Sequence, residues 1–238
     1  MGQALKVDVA GTQMGLYEER PKGAARGAVI VIQEAFGVTE HIQDVCRRFA
    51  AEGFVAVAPH IFHRSGDPII AYDKMQEVIP HVMQTKAEGL EADVDASLAY
   101  LKDAGFGPKR VGIVGFCLGG SVAALIAERR EIGAAVTYYG GGIIQARFGA
   151  APIIELAPKF KTPWLGLYGD ADQSIPLTEV EMLRKATKTA AVPTDIVRYA
   201  DADHGFNCDA RPSAFHEASS KDAWARTIKW LGDHLAAG

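Results

Sequence analysis

Three side chains in this sequence have the types needed for nucleophilic catalysis. Cys117 sits in Gly115-Phe116-Cys117-Leu118-Gly119-Gly120, Asp172 closes the run 169–172 (GDAD), and His204 lies in the run 201–205 (DADHG). A thiol near its free pKa is mostly protonated at neutral pH, so it needs a base or a positive field to become a strong nucleophile. Histidine supplies the base, and a carboxylate fixes the ring's tautomer and stabilises the imidazolium. Singly, each residue also has a plainer reading. Cys117 would be a buried thiol in a glycine-rich turn, Asp172 a cap for the helix after Pro176, and His204 a structural loop residue. Jointly they stand in the order nucleophile, acid, histidine along the chain.

The elements around them must place all three together. Residues 111–114 (VGIV) form a short β-branched run of the kind that becomes a buried strand, and 122–127 (VAALIA) is helix-forming. Strand, glycine-flanked turn and helix is the layout of the nucleophile elbow, G-x-S-x-G, with cysteine in the serine position. A helix starting just behind Cys117 turns backbone N–H groups and the positive end of its dipole toward the sulfur. The N–H of Leu118 and one from the loop after an early strand, with Ala35 the best candidate, would form an oxyanion hole. Further buried strands are expected at 28–33, 54–58, 133–138, 164–168 and 195–199, after an edge hairpin over 4–18 with Gly11 in its turn. Ile42, Val45, Cys46 and Phe49 follow i, i+3, i+4, i+7, which predicts an amphipathic helix closing at Gly53. Leu90, Val94, Leu98 and Leu101 predict another, with Asp93 and Asp95 on its exposed face. Helices are also expected over 177–188 and around Trp224, Ile228 and Leu231, with 145–161 a looser connection. This alternation predicts an α/β fold: a mostly parallel, doubly wound sheet flanked by helices, as one domain over 1–238. Catalytic loops gather at the carboxyl ends of such strands.

Composition narrows the function. A formal net charge of −4 and the absence of any lysine- or arginine-rich block argue against nucleic acid as a partner. Apolar residues make up 48% of the chain, but no run approaches the length of a membrane span. The N-terminal MGQALKVDVA has no apolar core, so no signal peptide is expected and the cytoplasm is the expected location. Three widely spaced cysteines do not make a disulfide framework. His60 and His63 lack a third ligand at a recognisable spacing, so no metal or other cofactor is expected. The expected partner is a small ester or lactone, with the chain a monomer or small homo-oligomer. A thiolate leaves more readily than an amine, which disfavours amide cleavage and favours good leaving groups.

The run 115–120 (GFCLGG) resembles the elbow of the dienelactone hydrolases (carboxymethylenebutenolidases), α/β-hydrolases whose nucleophile is cysteine. The runs 33–37 (QEAFG), 59–64 (PHIFHR), 138–140 (YYG), 169–172 (GDAD) and 204–206 (HGF) match in order, and the resemblance spans about residues 4–233. It implies a Cys117–His204–Asp172 triad. It also implies a thiol-gating role for Glu34, which would contact the resting thiol and swing away when substrate binds. Arg64 would pair with a substrate carboxylate, and Tyr139 and Phe36 would line the substrate site. The implied reaction is hydrolysis of dienelactone to maleylacetate through a thioester acyl-enzyme, a step of aromatic catabolism. The alternative is a general carboxylesterase or thioesterase on the same triad. Two departures bear on the substrate. Cys208 stands where the family places a second arginine, leaving Arg211 as the nearest candidate, and the connection from Gly140 to Thr162, which carries Arg147, is long.

Overall fold

A computed structural model describes residues 2–236. Eight strands form one sheet: β1 (Gln3–Val9), β2 (Thr12–Glu19), β3 (Gly27–Ile32), β4 (Phe54–Pro59), β5 (Val111–Phe116), β6 (Ala134–Tyr138), β7 (Trp164–Gly169) and β8 (Thr194–Tyr199). Their spatial order is β1-β2-β4-β3-β5-β6-β7-β8. The first two strands form the expected hairpin, and β2 runs antiparallel to β4; every other pairing is parallel. Every residue of β3 to β7 is buried, as their continuous apolar runs require, whereas β1 alternates along an exposed edge.

Among the described residues seven α-helices connect and cover the sheet: α1 (Glu40–Ala51), α2 (Met75–Gln84), α3 (Ala87–Asp103), α4 (Leu118–Arg129), α5 (Ile153–Leu156), α6 (Leu177–Thr187) and α7 (Glu217–His234). Thr39 caps α1 by accepting from the Ile42 N–H, and Gly53 (φ +88°) follows its end. Ile42, Val45, Cys46 and Phe49 form the buried stripe of α1 as predicted. On that face α1 meets α7, where the Phe49 and Trp224 rings lie 4.5 Å apart and the Arg48 guanidinium covers Trp224. The helices α3, α4, α5 and α6 neighbour one another in sequence, giving the second layer.

Two features depart from the sequence reading. The helix α2 was not anticipated: it contains Pro80, and its apolar residues Met75, Ile79 and Met83 are exposed, so its pattern does not mark a core-facing stripe. Asp93, expected on the exposed face of α3, is 1% exposed because Arg64 and His63 reach it from the loop after β4. No helix among the described residues is long and apolar enough to cross a membrane.

Parallel register brings the carboxyl ends of β5, β6, β7 and β8 to one edge: Phe116 pairs with Tyr138, Tyr138 with Leu167, and Gly169 with Tyr199. A buried polar chain braces this edge. The Trp164 indole N–H on β7 donates to Thr137 Oγ1 at 3.0 Å, and that hydroxyl donates to the Gly120 carbonyl in α4 at 2.9 Å. Thr137→Val keeps the shape but leaves the indole donor without its acceptor. It is expected to cost about 1–3 kcal/mol, read as a thermal midpoint lowered by roughly 2–12 °C at this chain length.

Candidate active site

The turn after β5 is forced by close backbone contacts. Cys117 has φ +55° and ψ −114°, a region non-glycine residues rarely occupy, and α4 begins at the next residue. A Cβ at Gly115 would collide with the Gly119 carbonyl, and one at Gly119 with the Ile32 and Gln33 carbonyls. One at Gly120 would lie 2.6 Å from the Tyr138 carbonyl. The first turn of α4 therefore rests directly on the ends of β3 and β6, and Cys117 N donates to the Tyr138 carbonyl at 3.0 Å. Such a turn lifts the thiol above the sheet edge.

There it meets the other two predicted residues. Cys117 Sγ lies 3.1 Å from His204 Nε2, and His204 Nδ1 lies 2.7 Å from Asp172 Oδ2. The second oxygen of Asp172 accepts from Ser174 N (2.8 Å), Ser174 Oγ (2.6 Å) and Ile175 N (3.2 Å), which leaves Oδ2 for the imidazole. Ser174 was not singled out from sequence, although a serine two residues after an aspartate is an Asx-turn spacing that could have marked it. Burial alone would raise the Asp172 carboxyl, but the His204 and Ser174 bonds outweigh it and hold the group below its usual range. Burial likewise pulls the imidazole down, while the bonds to Asp172 and Cys117 and the charges of both lift His204 to about 10.

The remaining expected residues fall into two groups. Near Cys117, His204 and Asp172, neither the Ala35 N–H in the loop after β3 nor the Leu118 N–H at the start of α4 donates to another group among the described residues. The Tyr139 ring (φ +39°) packs 5.1 Å from His204 and 5.3 Å from Phe206, and Phe36 packs against Tyr72 at 4.7 Å. Glu34 is 1% exposed, and neither carboxylate oxygen has a hydrogen-bond partner among the described residues; its bond to Cys117 is not made here.

Arg64 is placed differently. Its guanidinium forms a two-pronged pair with Asp93 on α3, both bonds 2.9 Å, and lies against Gly89 on the same helix. His63 Nε2 shares that carboxylate at 3.1 Å, and His60 Nδ1 is held by Asp67 Oδ2 at 2.6 Å, so the two loop histidines point to separate partners. Arg211 makes no ion pair among the described residues. Its guanidinium lies 2.8 Å from where a Gly205 Cβ would stand, beside His204, and 5.8 Å from the Tyr72 ring.

An elbow after the fifth strand, followed by an acid and a histidine on later strand ends of a mostly parallel eight-stranded sheet, defines an α/β-hydrolase. The family model "Dienelactone hydrolase family" matches residues 14–235. A Salmonella typhimurium protein provisionally named carboxymethylenebutenolidase is 39% identical over 228 residues, covering 94% of this chain and 84% of its own. A protein of Escherichia coli K12 with the same provisional name is 39% identical over 226 residues, covering 93% and 83%. A Klebsiella pneumoniae crystal structure, provisionally titled a dienelactone hydrolase, superposes with a TM-score of 0.91 at 36% identity, covering 98% of this chain and 99% of its own. The chain belongs to the dienelactone hydrolase family and is a hydrolase of esters or lactones.

Two outcomes follow from the site's electrostatics. The folded imidazole of His204 binds its proton more tightly than the unfolded one, whose pKa is about 6.5. That contribution to stability is complete below about 6.5 and is lost as pH rises through about 10. Imidazole NMR is expected to show His204 protonated through neutral pH, with its titration moved to lower pH in Asp172→Asn. Arg64→Ala leaves a buried carboxylate with His63 as its remaining side-chain partner. It is expected to lower unfolding free energy by about 2–3 kcal/mol in denaturant titration.

Proposed function

We propose that the chain cleaves small esters and lactones with good leaving groups, using Cys117 as a covalent nucleophile. The observation carrying this reading is the continuous chain Cys117 Sγ–His204–Asp172, at 3.1 and 2.7 Å, with the imidazole favoured in its charged form. An imidazolium beside the sulfur favours the thiolate, which attacks the substrate carbonyl carbon. The Ala35 and Leu118 N–H groups receive the developing oxyanion. Collapse of the tetrahedral adduct breaks the bond to the leaving oxygen, which takes the proton from His204 Nε2, and leaves a thioester on Cys117. The neutral imidazole then removes a proton from water as it attacks the thioester. Collapse of the second adduct expels the thiolate and releases the carboxylic acid.

The preferred substrate is a lactone or enol ester that itself carries a carboxylate, of the dienelactone type. An enolate leaves readily enough for forward collapse to compete with loss of the thiolate. Because Asp93 neutralises Arg64, Arg211 is the guanidinium proposed to meet the substrate's charge. A general esterase acting on neutral substrates is the second reading, supported by that same neutralisation of Arg64.

Dienelactone and a chromogenic acetate ester, assayed side by side, test both points. Cys117→Ala is expected to lower kcat/KM on each by a factor of about 1000 or more, and acid-quenched wild type should carry an acyl group on Cys117. Hydrolysis surviving that substitution would refute the nucleophile. Arg211→Ala should raise KM for the lactone and spare the acetate ester. Equal effects on the two would favour the general esterase.

A further inference from the structure

A second cluster of reactive side chains lies outside the triad. Glu34, His41 and Cys208 are 1%, 4% and 0% exposed, and one ligand-type atom from each lies within 4.8 Å of the other two. Both oxygens of Glu34 and the Nε2 of His41 are buried with no hydrogen-bond partner among the described residues. A cation among these donors would compensate the carboxylate, and an uncompensated charge out of water costs several kcal/mol or more.

We propose that Glu34, His41 and Cys208 form a binding site for a divalent transition-metal ion, zinc by the character of the donors, adjoining the catalytic triad. One carboxylate oxygen, one imidazole nitrogen and one thiolate are the donors zinc accepts. Tetrahedral zinc with bonds of about 2.0–2.3 Å places its ligand atoms roughly 3.3–3.7 Å apart. Closing the cluster from its present spacing thus takes side-chain shifts of about an ångström.

The outer partner also fits. His41 Nδ1 lies 3.1 Å from Asp209 Oδ1, an arrangement that leaves the buried, unpartnered Nε2 as the nitrogen available to a metal. Metal-bound histidines are commonly oriented by such a carboxylate. Asp209 is the residue after Cys208, so one short segment supplies a ligand and the orienting group of another. Binding moves the Cys208 thiol proton to solvent, and the thiolate and carboxylate then balance the charge of the ion. Three protein donors leave a fourth position for water or an anion.

The cluster borders the triad through the backbone. Glu34 precedes the oxyanion candidate Ala35, and Cys208 N donates to the Gly205 carbonyl at 2.8 Å, one residue from His204. The site stands apart from the proposed catalytic reading, since Cys117 is not among its ligands.

The test uses the full chain, stripped with chelator and titrated with Zn²⁺ or Co²⁺ alone. One equivalent is expected to bind, and Co²⁺ should give a thiolate-to-metal charge-transfer band with the visible bands of a tetrahedral centre. Cys117→Ser should retain that band. Cys208→Ser should abolish it and weaken Zn²⁺ binding at least about tenfold. Asp209→Ala changes an exposed residue, so it keeps the test decisive should Cys208→Ser fail to fold. It is expected to weaken Zn²⁺ about tenfold, and unchanged affinity would overturn the site. So would the absence of stoichiometric binding, or a band that is lost in Cys117→Ser and kept in Cys208→Ser.

Discussion

The site depends on one close approach, that of the first turn of α4 to the ends of β3 and β6. Gly119 meets the carbonyls of Ile32 and Gln33, Gly120 meets that of Tyr138, and Gly115 meets Gly119 itself. These contacts leave no room for a Cβ, so the turn can tighten only where glycine stands. The tightness holds Cys117 in its positive-φ conformation, with the sulfur 3.1 Å from His204 Nε2. Strain at a single residue persists because several packed neighbours over-determine it. The Trp164–Thr137–Gly120 chain ties the same turn to β7, whose end begins the loop carrying Asp172.

Of the five buried carboxylates among the described residues, Asp172, Asp93 and Glu34 are compensated to different degrees. Asp172 is fully satisfied, with one oxygen given to a turn and the other to an imidazole. Asp93 is satisfied by a two-pronged arginine and a histidine from a neighbouring loop. Glu34 alone has no hydrogen-bond partner among the described residues. The first arrangement suits a group that must stay ionised and still. The second is structural: it pins the loop after β4 to α3. The third has unused capacity, which is where a ligand would be taken up.

Much of the frame was legible in the sequence because buried parallel strands are written as continuous β-branched runs, and β3 to β7 are of this kind. The elbow was legible because its geometry permits so few residue types at 115, 119 and 120. By contrast, α2 hid behind a proline and an exposed apolar face. The burial of Asp93 was hidden for a different reason. Its partners lie 29 and 30 positions earlier in a loop, and helical periodicity says nothing about a charge that a distant segment covers. The same blindness applies to Arg64, whose type suits a substrate carboxylate but whose nearest carboxylate belongs to the protein. His41 and Cys208 escaped notice as a pair because 167 positions separate them.

The unequal burial of the three thiols has a practical meaning. Cys46 and Cys208 are fully enclosed, the first in the α1 core stripe, and burial raises both thiols above their free values, Cys208 to about 12. Only Cys117 reaches solvent. A mild alkylating or disulfide reagent therefore meets one sulfur on the native molecule and three once the chain is unravelled. The chain carries an internal gauge of its own integrity: the number of sulfurs that react reports whether the layers around the sheet are closed, with no added probe.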